Sequence, residues 1–201
     1  TAYFGIYEVG QVKEGDIVLV SGAAGGVGVL VCQLAKLKGA KVIGIAGGPE
    51  KCAVLVNEVG TDAAIDYKNQ NIDEQIKIHA PDGIDIFFDN VGGEILDIAL
   101  DNIRDRARII ICGAISQYSH HDAVEGPSLY LRLAEKYARM EGFTVMHFEE
   151  HYERASKELL DLYNQKKLNV PFHIEEGVDN FPLALQKLFT GGNTGKLMVK
   201  I

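Results

Sequence analysis

The chain has no tryptophan, and only three cysteines and five prolines among its 201 residues. Cys32, Cys52 and Cys112 are widely spaced, with no CxxC pair and no histidine at zinc-site spacing, which argues against a disulfide scaffold or a zinc finger. They read as small buried hydrophobes in a reducing compartment, so a cytoplasmic location is expected. Basic charge is also scarce: 20 Lys and Arg against 28 Asp and Glu leave a net charge of −8. That balance lacks the basic footprint of a nucleic-acid or anionic-lipid partner. The opening residues, TAYFGIYEVGQVKEGD, hold no basic stretch followed by an apolar core, so nothing marks a secretory signal. They begin without Met in what reads as mid-helix, and the chain is expected to be part of a longer protein. No internal repeat or low-complexity segment is present.

What is present begins with an uncharged run, IVLVSGAAGGVGVLVCQLA (Ile17 to Ala35), close to the length of a membrane span, about 18 to 20 residues. Its internal order excludes that reading. A β-branched run is followed by Gly22, Gly25, Gly26 and Gly28 and then by a helical stripe of Val27, Leu30, Val31, Leu34 and Leu37. Lys13, Glu14 and Asp16 precede the run, and Lys36 and Lys38 follow it. Strand, turn and helix therefore meet at the glycines.

The same alternation continues along the chain. AKVIGIAG is a second strand, and PEKCAVLVNEVG is a helix with Pro49 at its first position. DAAIDY, GIDIFFDNVGG and ARIIICGAIS follow as strands separated by helical or turn segments. Runs apolar on both faces, such as Ile84, Ile86, Phe87 and Phe88, suit a parallel sheet covered on both sides. The expected fold is α/β, a doubly wound parallel sheet of the Rossmann type. The spacing predicts a terminal strand over Glu141 to Phe148, whose exposed apolar edge would seek a partner, a surface helix with Tyr152, Ala155, Leu159 and Tyr163 on its stripe, and a helix carrying Phe181, Leu185 and Leu188. Residues 116–128 form a long aperiodic stretch of the kind that is usually functional.

Glycines at a strand-to-helix turn let backbone lie against a ligand, and the free amides of the helix start attract an anion such as a dinucleotide pyrophosphate. The spacing is G-x-x-G-x-x-G rather than G-x-G-x-x-G, and glycines placed only for close helix-to-strand packing are the alternative. NAD enzymes place an acid at the end of the second strand. This strand ends GIAGGPEKC, with Gly47 and Gly48 at its tip and Lys51 following, which favours NADP, although Lys51 reads equally as a solvated residue in the first turn of a helix.

SGAAGGVG, AGGPEKC, DAAIDYKN, FDNVGGE, CGAIS, ARMEGF and GGNTGKLMVKI together resemble the medium-chain dehydrogenase/reductase superfamily. The similarity is to its zinc-independent double-bond reductases, the group of leukotriene B4 dehydrogenase/prostaglandin reductase and curcumin reductase, and runs from Thr1 to Ile201. The resemblance implies NADPH as cofactor and a small-molecule enone or enal as substrate, with hydride added to the activated C=C bond. It implies cofactor contacts at Gly22, Ala24, Gly25, Gly26, Val27 and Gly28 of the turn. Lys51 and Tyr67 match positions that bind the 2′-phosphate, Asn90 one beside a cofactor ribose, and Cys112, Gly113 and Ile115 the strand end that meets the nicotinamide. Phe143 and Asn193 complete the implied contacts. Core packing for the Cys112 sulfur and an aromatic strand-edge cap for Tyr67 are the competing roles.

The family also carries an N-terminal GroES-like domain, absent here. Residues 1–175 are therefore expected to be the NADP-binding domain, and 176–201 a helix and strand that return to the missing one, so that this chain binds NADPH but turns over poorly. Several relatives place a tyrosine four residues before the Arg of RMEGF, where this chain has Glu135, so no catalytic acid is assigned. No metal site is expected: His120 and His121 are adjacent and would face apart in an extended loop. A homodimer is expected. The alternatives are a quinone oxidoreductase or alcohol dehydrogenase of the same superfamily, or a nucleotide-sensing Rossmann module without turnover.

Overall fold

The computed structural model describes residues 1–118 and 123–201. The first helix, α1 (Ala2–Phe4), runs on through wider turns to Val9. Then come β1 (Ile17–Val20), α2 (Gly28–Leu37), β2 (Lys41–Ala46), α3 (Pro49–Val54, extended by Leu55–Val59), β3 (Ala63–Asp66), α4 (Ile72–His79), β4 (Ile84–Asp89), α5 (Glu94–Asp101) and β5 (Ile103–Ile111). A short α6 (Arg132–Glu135) leads to β6 (Arg139–Gly142), and α7 (Tyr152–Asn164), β7 (Phe172–Glu176), α8 (Phe181–Thr190) and β8 (Lys196–Lys200) complete the chain.

Six strands form one sheet in the order β3-β2-β1-β4-β5-β6, all pairs parallel. The strands alternate strictly: Val18, Val20, Ile86 and Phe88 face a core shared with α1 and α2, and Leu19, Ile43, Ile65 and Phe87 face one shared with α4 and α5. That two-sided burial is why β1, β2 and β4 read as continuous apolar runs, and it bears out the doubly wound fold. Local signals set the helix ends. Pro49 opens α3 after Gly48, Gly60 closes its extension in the left-handed region, and the Asn71 side chain accepts the Glu74 amide to cap α4.

Three expectations need correcting. The strand predicted from Ala107 begins at Ile103, and its polar first half, RDR, hid it; there a bulge shifts the register to β4, and Arg106, at φ 64, donates its amide to the Lys136 carbonyl at 2.7 Å. The strand predicted over Glu141 to Phe148 lies at Arg139–Gly142 instead. Beyond it the backbone coils into a tight helix over Val145–His151, because Thr144 accepts the His147 amide on its carbonyl and donates its own to His147 Nδ1. On α7, Leu162 packs against the core with Tyr152 and Leu159, whereas Tyr163 is exposed.

The last elements stand apart from the sheet. β7 and β8 pair only with each other, in parallel, Phe172 opposite Lys196. The unit is fastened to the β1–α2 turn by the Gly195 amide on the Ala24 carbonyl at 2.7 Å and by a bridge between Gly25 and Gly195. The predicted stripe of α8, Phe181, Leu185 and Leu188, remains largely exposed.

Candidate cofactor cleft

β1 and β4 are neighbours whose chains leave in opposite directions across the sheet, the topological switch point where open α/β sheets bind ligands. The two strand tips are tied together by a buried carboxylate. Asp89 accepts the Ser21 hydroxyl at 2.7 Å, the Val91 amide at 2.9 Å and the Gly92 amide at 3.0 Å. Burial pushes its carboxyl above the usual range, and these donors hold it down in part. Ser21 in turn accepts the Asn90 amide at 2.8 Å, and Asn90 Nδ2 donates to the Ser21 carbonyl at 2.7 Å, which fixes this side chain at the cleft lining with its Oδ1 available as an acceptor.

The glycines of the turn do different work. Gly22 sits at φ 57, a conformation that favours glycine. A Cβ at Gly28 would stand 2.4 Å from the Gly22 carbonyl oxygen and 2.6 Å from Ala23 Cα, so Gly28 is required by the close approach of the helix start to the backbone of the turn itself. One at Gly26 would meet Lys196 Cδ at 3.2 Å. The start of α2 carries no side-chain cap and no acid in its first turn, and among the described residues the Val27 amide has no protein acceptor. That leaves a donor and the positive end of the helix dipole at the cleft floor.

At the β2 tip, the Tyr67 ring lies against Gly47, where a Cβ would be only 2.8 Å from it. Lys51 Nζ donates to the Gly191 carbonyl at 2.6 Å, and burial, then the neighbouring Lys68, lowers its pKa. Both groups converge on one spot: a Cβ at Gly191 would be 3.8 Å from Tyr67 Oη and 3.9 Å from Lys51 Nζ. The carboxylate at the end of β3, Asp66, reaches the same strand tip with its oxygens already engaged. It accepts the Asn69 side chain at 2.7 Å, the Gly48 amide at 2.7 Å and the Lys68 amide at 3.0 Å, and these bonds hold it below the usual carboxylate range.

Together these features line a cleft of about 1030 Å³, at the upper end of the roughly 300–1,000 Å³ typical of ligand sites. Of the residues singled out in the sequence, the cleft gathers Gly22, Ala24, Gly25, Gly26, Val27 and Gly28 at its floor, and Lys51, Tyr67, Asn90, Ile115 and Asn193 around it. Cys112, Gly113 and Phe143 are not in its lining. Phe143 is buried edge-on against Phe88. Burial pushes the Cys112 thiol up to about 11, and the Tyr118 hydroxyl covers Gly113. His120 and His121 lie outside the described residues; among the described ones no group of three or more His, Cys, Asp or Glu side chains is placed to hold a metal. Sequence reading missed Asp89 and Ser21, whose link across the sheet has no linear signal, and the wall formed by α8 and β8 with Phe181, Leu185, Leu188 and Met198.

A parallel sheet in this order, with a glycine turn and an uncapped helix start at its switch point, defines a Rossmann-type nucleotide-binding domain. The chain belongs to the zinc-binding dehydrogenase family, whose profile matches residues 26–164. It is 42% identical over 204 residues to the putative NADP-dependent oxidoreductase YfmJ of Bacillus subtilis (strain 168), covering 100% of this chain and 60% of that one. It is 40% identical over 202 residues to a 2-alkenal reductase (NADP(+)-dependent) of Nicotiana tabacum, covering 100% and 59%. The solved structure of CurA from Vibrio vulnificus in complex with NADPH matches with a TM-score of 0.93 at 39% identity, over 99% of this chain and 60% of that one. The resemblance read from the seven motifs is thus borne out, and the chain spans about three fifths of the length of these relatives.

Proposed function

We propose that this chain is the NADPH-binding part of an oxidoreductase that reduces the activated C=C bond of enones and enals. The observation that carries the cofactor reading is the convergence of Lys51 and Tyr67 near the Gly47–Gly48 tip, where a 2′-phosphate would meet both, while the strand-end acid Asp66 has its oxygens taken up by the Gly48 amide and the Asn69 side chain. The Val27 amide and the start of α2 would hold the pyrophosphate, and Asn90 Oδ1 would accept a ribose hydroxyl. Bound NADPH supplies the hydride. The apolar wall of Ile95, Ile115, Leu185 and Leu188 excludes water and so strengthens the electrostatic interactions inside the cleft. The substrate reading is supported by the relatives, one of which is named for 2-alkenals.

The same reading assigns the exposed apolar face of α8 and β8 to contact with a GroES-like domain of the whole protein. It also assigns the free edge of β6 to a homodimer contact, which sedimentation at micromolar concentration tests. No helix of the described residues is long and apolar enough to cross a membrane. A panel of an enal, an enone, a quinone and an alcohol, each with NADPH or NADP, tests the reaction. Oxidation of NADPH by the first two supports it, preference for the quinone or the alcohol moves the protein to another branch of the family, and NADPH binding without turnover by any of them in the whole protein points to a nucleotide sensor.

A further inference from the structure

The floor of the cleft offers an amide and a helix start to a pyrophosphate but, within the β1–α2 turn itself, no cation. The chain supplies one from its far end. We propose that Lys196, held over the glycine-rich turn by the start of β8, is the positioning cation for the pyrophosphate of the bound dinucleotide. The inference rests on the cleft being a dinucleotide site.

Lys196 is part of the cleft lining. Its Cδ, Cα and Cβ stand 3.2, 3.3 and 3.5 Å from where a Gly26 Cβ would be, so the side chain runs along the turn rather than away from it. The backbone beneath is fixed on both sides. The Lys196 amide donates to the Pro171 carbonyl at 2.9 Å, and the preceding Gly195 amide to the Ala24 carbonyl at 2.7 Å. Gly195 is at φ 70, and a Cβ there would lie 2.1 Å from the Pro171 oxygen, so only glycine lets β8 approach so closely. Lys36, Lys77, Lys187 and Lys200 each pair with a carboxylate. Lys196 has no such partner among the described residues, in a chain where acids outnumber bases 28 to 20. An exposed lysine without an acid partner, its stem laid along the turn that opens a helix, can bring its ammonium to a phosphate oxygen held there.

The two lysines of the cleft then divide the cofactor between them. Lys51 meets the 2′-phosphate, which NADPH has and NADH lacks, whereas Lys196 meets the pyrophosphate that both carry. Dissociation constants of both cofactors for the parent chain and for Lys196→Met, Lys196→Arg and Lys51→Ala separate the roles. Lys196→Met keeps most of the aliphatic stem; it should weaken NADPH and NADH by the same factor, about tenfold, and flatten the salt dependence of both. Lys196→Arg should bind nearly as the parent does, and Lys51→Ala should weaken NADPH alone. Lys196→Gln serves if the Met variant does not fold. Parent-like binding of both cofactors by the Met or Gln variant overturns the inference, as does a loss confined to NADPH. A parent chain that binds neither cofactor overturns the dinucleotide reading itself and this inference with it.

Discussion

Phe87 and Phe88 in β4 have 0% of their surface exposed, while Phe172, Phe181 and Phe189 in the β7–α8–β8 unit keep 62%, 56% and 52%. The sequence treats both regions alike, as apolar strands and an amphipathic helix. The six-stranded sheet is closed by helices on both faces, whereas the terminal unit turns Phe181, Leu185 and Phe189 to an open cleft and leaves them and Phe172 largely exposed. Contiguous apolar patches of that kind mark contact surfaces. The sheet region is closed on itself, while the terminal unit is joined to it chiefly at Gly195 and Lys51.

That contrast predicts unequal costs for the same substitution. Phe88→Ala should destabilise by about 3–5 kcal/mol, as truncations of buried aromatics do, while Phe181→Ala should stay within about 0.5 kcal/mol. Urea titration of both variants reads the difference, and similar losses would erase the distinction between the regions. Gly195→Ala should cost about 1–3 kcal/mol, because the residue sits in the left-handed region against the Pro171 carbonyl. Its sharper signature is local: hydrogen exchange should quicken across β7 and β8 and stay unchanged in β1 and β4.

The smallest expected effect concerns pH. Asp66 is held below its usual range, first by the Asn69 side chain and then by the Gly48 amide. Its folded pKa is lowered, so the stability it contributes is present above the unfolded value of about 3.9 and is lost as pH falls through the folded value. Asp89 is shifted the other way by burial, so its protonation on acidification favours the folded state. Asp89 therefore protonates at a higher pH than Asp66, so on acidification the Gly92 amide should lose its charged acceptor before the Gly48 amide does, which their amide proton shifts report, and the reverse order would contradict these assignments.

Where the sequence was legible, each strand carried its own periodicity and its own stop signal: β1 ended in glycines, β2 in Gly47 and Gly48, and β4 in FDNVGG. The polar first half of β5 escaped because RDR lies in the bulge between the Ile103 and Arg108 pairings with β4, where the alternation of a strand is interrupted. β6 was misplaced by a few residues because the aromatic and β-branched residues of FTVMHF mimic a strand while the Thr144–His147 contacts coil the chain. In the cleft, residues next to glycines could be named from the motifs. Asp89, Ser21 and Lys196 could not, since their roles depend on strand tips and termini far apart in sequence meeting in space.

Calorimetric titration of the chain with NADPH and NADH, before and after Lys51→Ala, tests the claim that the β2 tip is a 2′-phosphate site. A charge-assisted contact with phosphate contributes about 1.5–3 kcal/mol, so NADPH should bind roughly tenfold to hundredfold more tightly than NADH, with most of that margin lost in the variant. Equal affinities for the two cofactors in the unmutated chain would contradict the claim.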